Sequence, residues 1–582
     1  MRKGSISFYD WGKPDSIATH ISSKYHEWQG YKEGAMTRWE EIEAYIYATD
    51  TLSLPGGAVF DHTTHVPIIH EIRDDLISIM YSTILPHEDF LGWQAYDKDS
   101  ATKDKRSKAT AYLKNRHSLN GFRKTMDKLI SDSIDYGNAF CQVQHVDNRK
   151  VRSDGTVSEG YVGPVIKRFS PYDVVFDPTA CSFEQSPKIL RTLVTMGEFI
   201  QMAKANDWDQ ETVDHIVEKR GTYGSVAFSD NKKNKQYSPE GFGTIEQYYA
   251  SGMVELLWFY GDVFDEYEGE LRPDRCAIVA DRMNLLDEYD CPDPKIYHFG
   301  WKTKPDNLWA QGALDQLLGI NFQVNHRENA LSTSIDRFIY PDKEIVGDAE
   351  EIYDPETGST RWLVPEGGGV RDIVPDATVL SYDNQIEKLK IQARMAVGLP
   401  PTLQGFRTPG EKTAFEVQTL NDGAFRAFIH KAERFELYLL EPAVNAELVL
   451  GRESLNSPLQ VQDETEDGIM TFIQITQSDL RSNGKLVPYG ARRFAHYNKQ
   501  MQTINMLANS NLGQLIAPHM NTFNLAGVVE HLGSLGEFKL FDKFAQIEEQ
   551  FEQQQLVNTA QQMNQQELSQ PTPEEMMLES ES

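Results

Sequence analysis

The chain has 582 residues, 40% of them hydrophobic, and its 57 Lys and Arg against 87 Asp and Glu give a formal charge of −30. Such a length supports a large core divided among several substructures, and no apolar run approaches a membrane span, so a soluble protein that stays in the cytoplasm where it is made is expected. The acid excess argues against a surface that grips nucleic acid through clustered Lys and Arg, and Cys141, Cys181, Cys276 and Cys291 lack the CxxC spacing of a zinc site, so they read as reduced thiols.

Residues 1–60 read as an exposed helical region whose Tyr25, Trp28, Tyr31, Trp39 and Tyr45 pack on a neighbouring element. Residues 61–300 read as α+β. Ile69, Ile72, Leu76 and Ile79 recur at helical spacing, as do Met126, Leu129 and Ile130, while 139–146, 165–169, 254–259 and 277–280 have the composition of strands. Between them 196–205 reads as a helix. The Gly-, Ser-, Asn- and Lys-rich stretch 220–243 reads as a loop, with Lys232, Lys233 and Lys235 solvated.

The segment from Asp306 to Leu450 organises the rest. Leu314, Leu317, Val324, Leu331, Ile335 and Phe338 fall on one helical face, and a single helix over 306–338 would span roughly 50 Å. After Pro341 the spacing predicts short strands at 343–347, 360–364 and 370–374, separated by Asp354-Pro-Glu-Thr-Gly and Pro365-Glu-Gly-Gly-Gly. Asp383 or Asn384 caps a return helix that ends at Gly398-Leu-Pro-Pro. A loop to Gly410 leads into the capping box Thr408-Pro-Gly-Glu411, and a very long helix then runs to Gly451 with a kink expected near Pro442. Ile469–Ile475 reads as a strand and 491–507 as a helix, with helices dominating to Phe544. A Gln-rich helix bearing Ile547, Phe551 and Met563 precedes an acidic, disordered tail over 569–582.

This order of helix, small β insert, helix, proline-glycine loop and long helix resembles the portal (head-to-tail connector) proteins of tailed bacteriophages, especially short-tailed ones. The stretches carrying the likeness are Asp306-Asn-Leu-Trp-Ala-Gln-Gly-Ala-Leu-Asp315, Ala393-Arg-Met-Ala-Val-Gly-Leu-Pro-Pro401, Thr413-Ala-Phe-Glu-Val-Gln418 and Leu486-Val-Pro-Tyr-Gly-Ala-Arg492. The resemblance implies a mainly α, α+β protomer: wing (61–300), stem helices (301–340 and 379–397), β clip (341–378), tunnel loop (398–410), spine helix and strand (411–475) and helical crown (476–568). It also implies a non-enzymatic ring at one capsid vertex in the virion, through which a separate terminase drives double-stranded DNA. Capsid or scaffold proteins and tail or adaptor proteins would dock on it, and no membrane would be involved. In a closed ring each residue near the axis is repeated once per copy; for about twelve copies Arg407 would contribute about +12 near the DNA, on a particle of formal charge about −360.

The resemblance assigns Gln404, Arg407 and Lys412 to the channel loop, Lys388, Lys390 and Arg394 to the stem facing DNA, and Lys343, Arg361, Trp362 and Arg371 to partner docking on the clip. No catalytic, metal or cofactor site is expected. Gly405-Phe-Arg-Thr-Pro-Gly410-Glu-Lys-Thr413 nearly matches a phosphate-binding loop, but Glu411 stands where Lys must reach the phosphates, and no strand precedes it. His62-Thr-Thr-His65 lacks a metalloprotease Glu, and Asp97-Lys-Asp99 lacks the rest of a calcium loop. The competing readings are another structural connector or tail protein, and a nucleotide-driven packaging enzyme.

Overall fold

A computed structural model describes residues 4–47, 64–86, 90–96, 103–149, 160–223, 253–348, 350–354, 359–374, 382–399, 428–455, 457–464, 470–481 and 483–490. These are about 47% helix and 31% strand, a mixed α/β composition with more strand than the mainly α expectation. The chain divides into a larger unit, Met1–Val461 with Ile473–Phe494, and a smaller one, Gln462–Phe472 with Ala495–Ser582. The smaller lies almost wholly outside the described residues, so the following concerns the larger. Among the described residues no helix is long and apolar enough to cross a membrane.

The chain opens with strand β1 (Ser5–Phe8) and helix α1 (Pro14–Ile46), followed by α2 (Ile68–Ile84), β2 (Leu91–Ala95), α3 (Lys103–Asn120) and α4 (Phe122–Asp135). Next come β3 (Asn138–Asp147), β4 (Val162–Phe169), β5 (Val174–Phe176), β6 (Lys188–Thr195), α5 (Met196–Ala205) and α6 (Gln210–Tyr223). Strands β7 (Met253–Asp265), β8 (Glu270–Ala280), β9 (Asn284–Asp290) and β10 (Ile296–Gly300) follow. The main sheet has the order β5-β6-β7-β8-β9, and β1 adds to β7 in parallel. Alternate residues of β7 take opposite faces: Leu257 and Phe259 pack with Ile17, Ile21, Tyr25 and Trp28 of α1, whereas Val254 and Leu256 pack with Phe199, Val213 and Ile216 of α5 and α6. A three-layer α/β/α body results. The aromatic positions of the N-terminal helix thus bury themselves, apart from Tyr31, which remains exposed.

Charges inside this body are matched. Lys32 is fully buried on α1, and its ammonium donates to the carbonyls of Pro171, Tyr172 and Val174 at 3.1, 2.8 and 3.0 Å. Glu255, also buried, accepts from Arg191 at 2.6 Å and from Arg282 at 2.8 and 3.0 Å. A second, larger core joins α2, α3 and α4 with the strand order β10-β3-β4 and with the later helices.

Several expectations require correction. The helix foreseen over 306–338 is shorter. Asn307–Gln311 forms β12, paired with β11 (Lys302–Lys304), Leu314–Gln316 is a single 3₁₀ turn, and α7 covers Leu318–Ile339, about 33 Å long. Gly312 lies so close to the carbonyls of Ile134 and Asp135 that an added Cβ would sit 3.0 and 3.2 Å from them. The insert has four strands, not three: β13 (Asp342–Val346), β14 (Glu350–Asp354), β15 (Ser359–Leu363) and β16 (Gly369–Ile373). Helix α8 (Tyr382–Ala396) starts before Asp383, which occupies its first turn and not the cap. It ends at Gly398, whose φ of +83° suits glycine, with Leu399 N–H closing on the Arg394 carbonyl at 2.9 Å.

The long helix is described from Phe428, and as α9 it runs over 428–454, three residues beyond the expected end. Its irregularity precedes Pro442: Glu436–Leu440 is a π turn. Proline lacks an N–H and its ring crowds the carbonyl four residues back, here that of Tyr438, so widening that turn relieves both. Strands β17 (Leu459–Glu464), β18 (Met470–Ile475) and β19 (Gly484–Pro488) complete the set, with β19 antiparallel to β2.

Candidate functional site

The candidate surface is the excursion from α7 through β13–β16 to α8. Along α7 the first half is anchored. Val324 and Leu331 enter the core, and Asn325 and Asn329 bind the backbone of 64–66: Thr64 N–H donates to Asn329 Oδ1 at 2.7 Å and Val66 N–H to Asn325 Oδ1 at 3.0 Å. Past Thr333 the apolar face continues with exposed side chains. Ile335 is exposed, Ile339 is 61% exposed and Tyr340 80%. The return helix is similar: Ile386 and Ala393 are buried, while Ile391 and Met395, one turn apart, face outward.

Between the helices lie two separate two-stranded antiparallel ribbons, β13 with β16 and β14 with β15. Ile345, Val346, Ile352, Tyr353, Leu363 and Ile373 on them are all exposed. A two-stranded ribbon with no covered face is marginal in water.

Lys343 and Trp362 come together, the ammonium 5.4 Å from the indole centroid, which links β13 to β15. Arg371 is exposed at the register position opposite Glu344, and Arg361 stands opposite Ile352. On α8, Lys390 pairs with Glu387 at 2.9 Å and Arg394 with Glu71 of α2 at 3.2 Å, so both already have acidic neighbours. Lys388 is exposed and carries no such pair. Gln404, Arg407 and Lys412, with all of 400–427, lie outside the described residues, as do the expected helices after 490.

Among the described residues no group of three or more His, Cys, Asp or Glu could hold a metal ion. The three described cysteines with shifted thiols, Cys141, Cys276 and Cys291, are all pushed up by burial, Cys276 to about 12, which disfavours a reactive thiolate.

Sequence reading passed over one concave surface, a cleft of about 340 Å³ lined by Thr125 and Lys128 of α4, Gln144 of β3 and Val165, Ile166, Lys167 and Arg168 of β4. No motif marks it, because its polar groups come from three elements brought together by the fold.

Comparison with protein-family models and with curated proteins found no match to this chain.

Proposed function

We propose that the chain is the protomer of a phage portal: a non-enzymatic ring at one capsid vertex that passes double-stranded DNA during packaging and ejection, and that receives terminase, capsid or scaffold proteins and tail or adaptor proteins. The observation that carries this reading is the α7, ribbon and α8 excursion, whose apolar positions are regular in sequence yet uncovered in one chain. Ile335, Ile339, Ile391 and Met395 on the helices and the aliphatic positions on the ribbons need neighbours, and cyclic repetition supplies the same neighbour to every copy. In that arrangement 341–378 is the clip and α7 and α8 are the stem. The order helix, β insert, helix and proline-glycine loop adds support.

Of the basic stem residues, Lys388 is the best placed to meet phosphate, since Lys390 and Arg394 spend charge on Glu387 and Glu71. A strongly acidic assembly suits a conduit, because repulsion keeps a moving duplex from adhering to the wall. Negative-stain electron microscopy of the purified full chain tests the reading. Rings with a central hole are expected, and monodisperse monomers at micromolar concentration would overturn it.

A further inference from the structure

The end of the main sheet where β1 joins β7 carries an apolar surface separate from the α7 to α8 excursion. Side chains alternate along β7, so Phe264 shares the face on which Val254 and Leu256 pack with α5 and α6 at the other end of the strand. Here Phe264 is exposed, and its strand partners are Ser7 of β1 and Leu271 of β8, both also exposed. Tyr9, two residues beyond Ser7, is 61% exposed and meets Tyr267, 69% exposed, edge to face with 6.3 Å between ring centroids. At roughly 150–250 Å² per aromatic side chain, the two tyrosines alone expose on the order of 250 Å². With Phe264 and Leu271 the patch reaches the size, about 300–600 Å², at which the largest apolar patch of a monomer is often functional.

The patch rests on a fixed support. Asp265, fully buried, accepts from the backbone N–H groups of Trp11 at 3.2 Å and Tyr267 at 3.0 Å, and Gly269, with φ of +71°, closes the turn by donating to the Asp265 carbonyl at 2.8 Å. The turn that presents Tyr267 is thus ordered before a partner arrives, which lowers the entropy cost of docking. Charge selects the partner. Residues 262–271 contain five Asp or Glu and no Lys or Arg. Arg272 is shared by Asp265 and Glu268, whereas Glu266 and Glu270 are exposed and, among the described residues, have no basic side chain paired with them. Two copies of so acidic a tip repel each other, so an identical surface is a poor occupant.

We infer that this tip docks a second protein through a segment whose apolar side chains are flanked by lysine or arginine, the apolar groups covering Tyr9, Phe264, Tyr267 and Leu271 and the cations meeting Glu266 and Glu270. Ring formation is not required, because every residue of the tip belongs to one chain.

The test is selection from a displayed library of random dodecapeptides on the immobilised full-length protein, followed by fluorescence anisotropy of the enriched peptides. Enriched sequences are expected to combine Lys or Arg with aliphatic or aromatic residues and to bind saturably. Phe264→Ser with Leu271→Ser should weaken that binding about tenfold or more, as loss of central apolar contacts does. Glu266→Lys with Glu270→Lys should weaken it strongly at low salt and less at high salt. Tyr96→Ser, which removes a similarly exposed tyrosine outside the tip, should leave it unchanged. All the substituted side chains are exposed, and circular dichroism confirms that each variant is folded. A selection that enriches nothing, enriched peptides without basic residues, or peptides that bind either double variant as they bind wild type would overturn the inference. If nothing is enriched and the double variants instead form smaller assemblies than wild type, the surface is a contact between copies.

Discussion

Replacing Ile335 and Ile339 together by Asp separates assembly from folding. Both side chains lie on the outer half of α7, one turn apart, and Ile339 is 61% exposed in the single chain. Exposed positions tolerate substitution within about 0.5 kcal/mol, so the monomer's urea midpoint should hardly move. At a subunit contact the balance differs. Fully burying an Ile is worth about 1.5–3 kcal/mol, and the exposed parts of Ile335 (38%) and Ile339 (61%) amount to about one whole side chain, so covering them contributes about 1.5–3 kcal/mol per contact. Losing that weakens pairwise association about 10- to 150-fold, before the added cost of desolvating two carboxylates. Because a ring repeats its contact around the axis, the variant should run as monomers in mass photometry at concentrations where wild type forms rings. Rings of normal stability would refute the placement of this face at the contact. An unfolded monomer would instead show that these residues act within the chain.

Glu255→Gln should destabilise the folded chain by about 3–5 kcal/mol in urea denaturation, since it leaves Arg191 and Arg282 facing each other without their shared carboxylate. Glu43, largely buried and accepting from Tyr136 and Tyr172, is pushed by burial from 4.5 up to about 7. The folded state therefore holds a proton that the unfolded state has released. Stability should fall between about pH 4.5 and 7 by on the order of 1 kcal/mol per unit, level off above that, and lose this slope in Glu43→Gln, as denaturation at a series of pH values would reveal. Deleting Gln404–Arg407, or making Arg407→Glu, should leave ring formation intact while impairing DNA packaging into proheads. Added salt should soften the effect of the charge reversal; failure to form rings, or normal packaging, would count against a channel role.

Helices with regular apolar spacing were legible in the sequence. Helix α5 matches residues 196–205, and its boundary follows from Thr195 and Glu198 capping one another. Helix α3 was not foreseen, because its sequence is rich in Lys and Arg and, among its described side chains, only Ala109, Ala111, Tyr112 and Leu113 are buried. Strand β12 lay inside the span read as one helix, and only its pairing with Lys302–Lys304 makes Asn307–Gln311 a strand. The acidic start of β14, Glu350 and Glu351, masked a strand that the ribbon pairing supplies. At the candidate site, the residues around Lys343 and Trp362 could be named individually, but not their juxtaposition, which brings together two ribbons that share no strand pairing. The cleft was invisible because no single segment contains it.

The π turn in α9 alters how that helix should be read. Phe428, Ala432, Glu436, Leu440, Val444 and Leu448 are all buried, a row that steps by four throughout. In a uniform helix such a row winds about 40° per step, close to 200° over its length, and its ends would point to nearly opposite sides. The surplus residue at Glu436–Leu440 takes back about 100° of that drift. It works as a phase correction, letting an unbroken rod keep roughly one bearing toward its core across about six turns. Deleting one residue between 436 and 440 would therefore let the rod close as a regular helix with its downstream side chains on the same bearing, whereas an insertion elsewhere in the rod would rotate everything beyond it by about 100°.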